Sequence, residues 1–253
     1  EGEKVRLDVR QTRLDARAEV PIGSGFLDQI RLRGGKVDYR HDEINESGAI
    51  GTSFFSTGAE GRLELVQRTR SGFGGAFGAQ LLDRRVKIRG AEKYLPDNRL
   101  RQFGLFALQN YAAGPWRAEI GGRAEFSRPT AKQDDFLGTP EQRRRFTTYS
   151  ASAGGSRDIG AGVRAGLSLS YSERAPGPDE LYANGPHAGT QAFEIGNPDF
   201  AKERSTGIEL SLKRGSGPFT FGVNAYTTRF SDFIYLARTG AIREDLPEYE
   251  YRQ

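Results

Sequence analysis

"WRAEIGGRAEFS", residues 116–127, alternates without a break. Trp116, Ala118, Ile120, Gly122, Ala124 and Phe126 fall on one side, and Arg117, Glu119, Gly121, Arg123, Glu125 and Ser127 on the other. Successive side chains of a strand point to opposite faces, so this is a strand with one apolar and one charged face. The same period recurs in "TGAEGRLEL" (57–65), "VRAGLSLSYS" (163–172) and "FTFGVNA" (219–225), and no segment carries a convincing helical period. Extending outward gives about ten strands, near 4–20, 28–44, 51–68, 72–89, 98–112, 115–129, 145–158, 162–175, 204–214 and 218–236. Many exceed the ~5–6 residues usual in globular proteins. The first slips its alternation around Arg10 to Arg13, which predicts a bulge there.

The links between strands decide what kind of sheet this is. "PIGSG", "RTRSG", "AAGP", "DIGAG" and "RGSGP" are short and turn-like. Between them come longer links, at 45–50, 90–98, 128–145, 175–204 and 237–248. Short and long links alternate in strict order, so an up-and-down meander puts all short turns at one end and all long loops at the other. Transmembrane β-barrels have that asymmetry. The strands are long, their polar face is densely charged, and aromatics (Phe54, Phe55, Phe73, Tyr111, Trp116, Tyr171, Phe230, Phe233 and Tyr235) gather near strand ends as an interfacial girdle. These features favour a membrane barrel over a soluble one, whose apolar face would point inward.

Composition is compatible with this. The 253 residues are 36% hydrophobic and 28% charged, which suits a folded chain. Cysteine is absent, which removes disulfides and thiolate metal sites. Methionine is absent too, so the chain is expected to be a processed or truncated piece. No apolar run of about 18 residues occurs, which excludes a spanning helix but not spanning strands. Net charge is +4, and lysine stands only at positions 4, 36, 87, 93, 132, 202 and 213, so most of the 37 cations are arginine. They are scattered beside acids along strands rather than drawn into a basic stripe, so no nucleic-acid partner is expected.

"SYSERAPGPDELYANGPHAGTQAFEIGNPDFAKERSTGIELSLK" (170–213), followed by "FGVNAYTTRFSDFIYL" (221–236), resembles the barrel of TonB-dependent outer-membrane receptors. In that family a strand ending in "ER.P...ELY" leads into a loop with "GNP.L..E.S". "VDYRHDEINESGAIGTSFFSTGAEGRLEL" (37–65) looks like the same family. Within it, "DYRHDE" and "ELYANGPHAGTQAFEIGN" look most like the zinc-uptake branch. The resemblance implies a transmembrane antiparallel β-barrel of 22 strands, of which residues 1–253 would supply ten to eleven. It further implies a plug domain and a TonB-binding box that this chain does not contain, the bacterial outer membrane as location, and lipid, TonB and a small solute or metal as partners.

The candidate site residues lie at the long-loop end. His41 and His187 are the two histidines. His41, Asp42, Glu43 and His187 form a candidate metal set, since neutral imidazole with carboxylate suits zinc as a transported ion. An ordinary polar role for each histidine is the competing reading. Asp179, Glu180, Tyr182, Asn184, His187 and Glu194 are candidate contacts to an organic ligand or metal chelate, although the prolines and glycines around them also shape turns. The charged strand face, including Arg62, Glu64, Arg117, Glu119, Arg123 and Glu125, is expected to form salt bridges with itself and to dock the plug. No resident cofactor is expected. Two alternatives stand beside the receptor. One is an outer-membrane barrel protease or lipase using His41 beside Asp42, although adjacent strand residues point to opposite faces. The other is a soluble β-sheet binding or adhesive protein, whose apolar face would need a second sheet over it.

Overall fold

The computed structural model describes residues 5–23, 25–187 and 189–253. Its strands are β1 (Arg6–Pro21), β2 (Leu27–Ile44), β3 (Ile50–Arg70), β4 (Phe73–Gly90), β5 (Asn98–Ala113), β6 (Trp116–Ala131), β7 (Gln142–Arg143), β8 (Phe146–Gly160) and β9 (Val163–Arg174). After the helical turn α1 (Pro178–Tyr182) come β10 (Asn184–His187), β11 (Ala192–Ile195), β12 (Glu203–Arg214), β13 (Phe221–Ser231), β14 (Tyr235–Arg243) and β15 (Leu246–Arg252). An antiparallel meander runs β1-β2-β3-β4-β5-β6-β8-β9-β12-β13, with β7 paired to β6. The all-β up-and-down architecture read from the alternation is therefore present. Two-residue turns close several of the short links, β3 to β4 and β8 to β9 among them. Ser71 and Gly72, and likewise Ala161 and Gly162, have positive φ at both positions, the twist that lets a two-residue hairpin match its strands.

Cross-strand register sorts the side chains. On the outward face, Phe73 opposes Tyr111 at the short-turn end, and Leu81, Phe103 and Phe126 lie in one row across three strands higher up. The interval from Phe73 to Leu81 is close to the ~9–11 residues that a membrane strand needs. Leu14, Leu81, Ile120, Leu210 and Val223 on this face are exposed, with no second sheet over them among the described residues. A soluble protein would have to cover that surface. The opposite face is polar and self-paired. Arg62 meets Glu64 at 2.6 Å and Arg123 meets Glu125 at 2.5 Å, while Arg117 turns to Asp158 at 3.7 Å. Residues of several strands, among them Asn110, Glu119, Ser168 and Glu209, line one hollow of about 500 Å³ on this face. The sheet thus curls toward its charged side.

Four expectations need correction. β1 has no bulge at Arg10–Arg13, since its register with β2 is continuous from Arg6–Ile44 to Pro21–Gln29. The slip is an inversion of polarity instead. Leu7 and Val9 lie opposite Glu43 and His41, on the face that carries charges lower in the sheet. Both stay exposed, so the pattern reverses along β1 without burying them, and the strand continues unbroken. The link at 45–49 is not a long loop. Asn45 accepts from Gly48 through its backbone carbonyl and from Ala49 through its side chain, closing a tight turn. The strand read over 218–236 breaks at 232–234, and 237–248 is no loop: β14 and β15 form a hairpin in a separate four-stranded sheet, β10-β11-β15-β14. Finally, Phe54 does not belong to an interfacial girdle. It faces inward, paired with His41 in register.

The buried core sits at the long-loop end, where loop residues pack against the strand ends. Ile88, Tyr94, Leu95, Phe146, Leu181 and Phe200 are among its members. The reason is that the sheet's own apolar face is directed outward, so the loops must bury their apolar residues against one another to remain ordered.

Candidate functional site

The loop between β9 and β12 folds by local rules. Gly177 lies just ahead of α1, Pro178 opens the turn with its fixed φ, and the Glu180 carboxylate accepts the Gly177 N–H at 2.7 Å. The same carboxylate takes Arg174 Nη1 at 2.8 Å, and Arg174 Nη2 reaches Glu203 at 3.1 Å. Glu203 also accepts the Ile234 N–H at 3.0 Å. One arginine thereby ties the two feet of the loop and the break after β13 together. Glu180 is committed to this clamp.

Tyr182 is likewise committed. It is buried and donates its hydroxyl to Pro129 O at 3.2 Å, and burial pushes its phenol up to about 12. Asn184 donates to Leu137 O at 2.9 Å. Of the six loop residues singled out from the sequence, these three hold the loop rather than face an open site. The other three, Asp179, His187 and Glu194, turn toward a common interior. Burial, reinforced by Glu194 and Glu180, raises the Asp179 carboxyl above the usual range, with Arg84 and His187 opposing.

The β10–β11 hairpin presents His187. Its Nδ1 lies 2.9 Å from Glu194 Oε1, and that oxygen also accepts Thr190 Oγ1 at 2.8 Å. A carboxylate oxygen accepts, so this contact sets Nδ1 as the donor and turns Nε2 away from Glu194. An atom placed as Cβ on Gly189 would lie 3.3 Å from both His187 Nε2 and Glu43 Oε1. This nitrogen and that carboxylate thus flank one glycine. Glu43 is two residues from His41 on the same face of β2, with His41 Nε2 3.9 Å from Glu43 Oε1. Glu43 Oε2 and His41 Nδ1 are buried with no hydrogen-bond partner among the described residues.

Asp42 is placed elsewhere. It points to the opposite face of β2, bound by Arg40 at 2.8 Å and Ser53 at 2.5 Å. Of the metal set read from the sequence, the fold gathers His41, Glu43 and His187 and leaves Asp42 aside. The same geometry prevents Asp42 from orienting His41, as a hydrolase would require. Among the described residues no three His, Asp or Glu side chains stand at metal-binding distances from one another.

Aromatic rings, absent from the sequence reading of the site, bind these parts together. His41 stacks on Phe54 at 4.2 Å, His187 stacks on Tyr94 at 4.0 Å, and Phe54 lies 6.3 Å from Tyr94. Tyr39 meets His41 edge-on at 5.5 Å. The Tyr94 hydroxyl is raised by burial and by the surrounding acids, Asp179 and Glu194 among them, and stays protonated. Tyr94 stands in "EKYLPDN", a link too short to carry periodicity, and only its burial at 8% exposure reveals its place.

A family model described as "TonB dependent receptor-like, beta-barrel" matches residues 6–253. Among solved structures, the copper transporter OprC superposes with a TM-score of 0.79 at 16% identity, over 98% of this chain and 42% of that one. The hemophore receptor HasR of Serratia marcescens, solved with its hemophore HasA and heme, gives 0.78 at 17% identity, over 98% and 44%. The FrpB iron transporter from Neisseria meningitidis gives 0.68 at 12% identity, over 97% and 39%. The chain therefore spans less than half the length of these structures, and the likeness to them is one of fold.

Proposed function

This chain belongs to the TonB-dependent receptor β-barrel family, a family of receptors and not of enzymes, and we propose that it serves outer-membrane uptake of a scarce divalent transition metal, zinc foremost. The observation that carries the reading is the oriented imidazole of His187. A carboxylate holding one ring nitrogen so that the other faces a ligand is the usual support for a metal-binding histidine. Here Nε2 and Glu43 flank Gly189, and among the described residues neither the second Glu43 oxygen nor the Nδ1 of neighbouring His41 has a hydrogen-bond partner. Buried polar atoms without partners are costly, and an incoming cation would satisfy them.

Capture would draw His187, Glu43 and His41 inward around the ion, with Glu194 fixing the tautomer and the aromatic rings excluding water. Because the three donors are not preset at coordination distances, binding includes a local closure of the β10–β11 hairpin over the end of β2. Work for release into the periplasm would come through TonB acting on a plug, since the outer membrane holds no ATP. The structures similar in fold are a copper transporter, an iron transporter and a hemophore receptor bound to its hemophore and heme, which is consistent with a metal or metal-chelate cargo. A planar chelate is the second reading, favoured by the stacked rings at 4.0 and 4.2 Å.

Calorimetric titration of the complete receptor in detergent with zinc, against His41→Ala/His187→Ala, tests the proposal. Tight binding lost in the variant supports it. Binding that survives in the variant places the metal elsewhere. Absence of zinc binding removes the free-ion reading and leaves the chelate.

A further inference from the structure

Directly above the apolar belt, the outward face of β4, β5 and β6 changes from lipid-facing rings to a concentration of arginines. The row Leu81, Phe103, Phe126 is followed one step up by Asp83, Arg101, Arg128, and the next step by Arg85, Arg99, Thr130 and, on β7, Arg143. Two steps along a strand are about 7 Å, so the cations begin one side chain above the aromatic rim. Phe103 and Phe126 are stacked neighbours, with ring centroids 6.2 Å apart.

The charge balance of this patch is unusual for the molecule. Arg101 and Arg128 are directly opposite in register, as are Arg85 and Arg99. Like charges directly opposite across a strand pair are destabilising. Asp83 is the local counter-charge, but it is already shared by Arg99, Arg85 and Arg101. Arg101, Arg143 and Arg145 all bear on Arg128 with like charge. Arg99, Arg101, Arg128, Lys132 and Arg143 line a hollow of about 330 Å³ with Glu141 as its single acid. Elsewhere on the sheet, by contrast, arginines such as Arg62 and Arg123 sit beside a glutamate on their own strand.

We propose that this hollow binds the phosphorylated headgroup of an outer-leaflet lipid, the acyl chains lying against the Leu81–Phe103–Phe126 row below it. Two features of the site select a lipid over a soluble anion: the cations face the bilayer side of the sheet, away from the lumen and the capture loops, and they are continuous with the apolar belt. A polyanionic headgroup bridging Arg101 and Arg128 relieves the repulsion that the register builds in, and Arg85, Arg99 and Arg143 supply further donors. Guanidinium is suited to this, since its fork matches phosphate oxygens in pairs.

The test uses the complete receptor purified in detergent, with native mass spectrometry reading lipid retention. Bisphosphorylated lipid A, its dephosphorylated form and phosphatidylcholine are offered in turn. Preferential retention of the bisphosphorylated lipid, weakening as salt rises, is expected. Arg101→Gln/Arg128→Gln should lower that retention by roughly thirtyfold, at about one interaction per arginine near a membrane surface. Arg33→Gln/Arg238→Gln removes the same charge elsewhere and should leave retention unchanged. Equal retention of phosphorylated and dephosphorylated lipid by the unmodified receptor overturns the proposal without reliance on any variant. Equal loss in both double variants overturns it as a general charge effect. Displacement of the lipid by equimolar inorganic pyrophosphate assigns the hollow to soluble phosphate and overturns the lipid assignment.

Discussion

Gly196→Ala is the perturbation that most directly tests whether the capture loop is held by packing against α1. A Cβ at this position would lie 2.8 Å from Leu181 C, 2.8 Å from Tyr182 N and 2.9 Å from Ala183 N. All three are backbone atoms of a buried turn, so no side chain can swing away. Gly196 N–H donates to Ala183 O at 2.7 Å and Asn197 N–H to Glu180 O at 2.9 Å, and both bonds must lengthen if β11 retreats. Overpacking of this kind costs about 1–3 kcal/mol, and strain on the two hydrogen bonds brings the total to about 2–5 kcal/mol. Because the core at this end consists mainly of loop residues and the meander contributes its own ladder, the cost should fall on local opening of the hairpin. Amide exchange in residues 184–195 should then accelerate by roughly thirtyfold or more, while exchange in β5 and β6 stays unchanged. Unaltered exchange in the hairpin would refute the close approach of Gly196 to α1. Equal acceleration in β5 and β6 would refute the separation of loop core from barrel sheet.

Other outcomes follow from the same geometry. Glu194→Gln keeps the shape but removes the charge that orients His187, and zinc affinity by calorimetry should fall about 10–100-fold with the fold intact by circular dichroism. Asp179 has a raised carboxyl in the folded loop, so it binds its proton more tightly folded than unfolded. Its contribution is favourable at low pH and is lost as pH rises through the folded value. Asp179→Asn should therefore slow amide exchange in the loop at pH 7, with the benefit vanishing below about pH 4. Tyr182→Phe deletes the hydroxyl that satisfies Pro129 O and should weaken loop protection by about 1 kcal/mol without changing the barrel's heat-modifiable mobility on gels.

What the amino-acid order determined by itself is whatever repeats at short range. Alternation in "WRAEIGGRAEFS" suffices to define a strand and both its faces, because side-chain direction in a strand depends only on parity. The positive-φ pairs at Ser71–Gly72 and Ala161–Gly162 were legible as turns for the same local reason. Parity also separates Asp42 from His41 and Glu43 before any coordinates are consulted. The tertiary structure decided everything that depends on where the bilayer ends and where loops meet. The inversion in β1 mimics a bulge, because only the register with β2 tells a change of apolar face from an inserted residue. Most of β14 looked like a loop because its sheet is completed through β15 by β11, which lies some fifty residues earlier and pairs in parallel. His187, Glu194, Glu43 and Tyr94 come from three separate links or strands, and no spacing along the chain encodes their convergence. It arises because the outward face is given to lipid, leaving the loops to bury their apolar residues against each other, and that burial is what carries His187 over the end of β2.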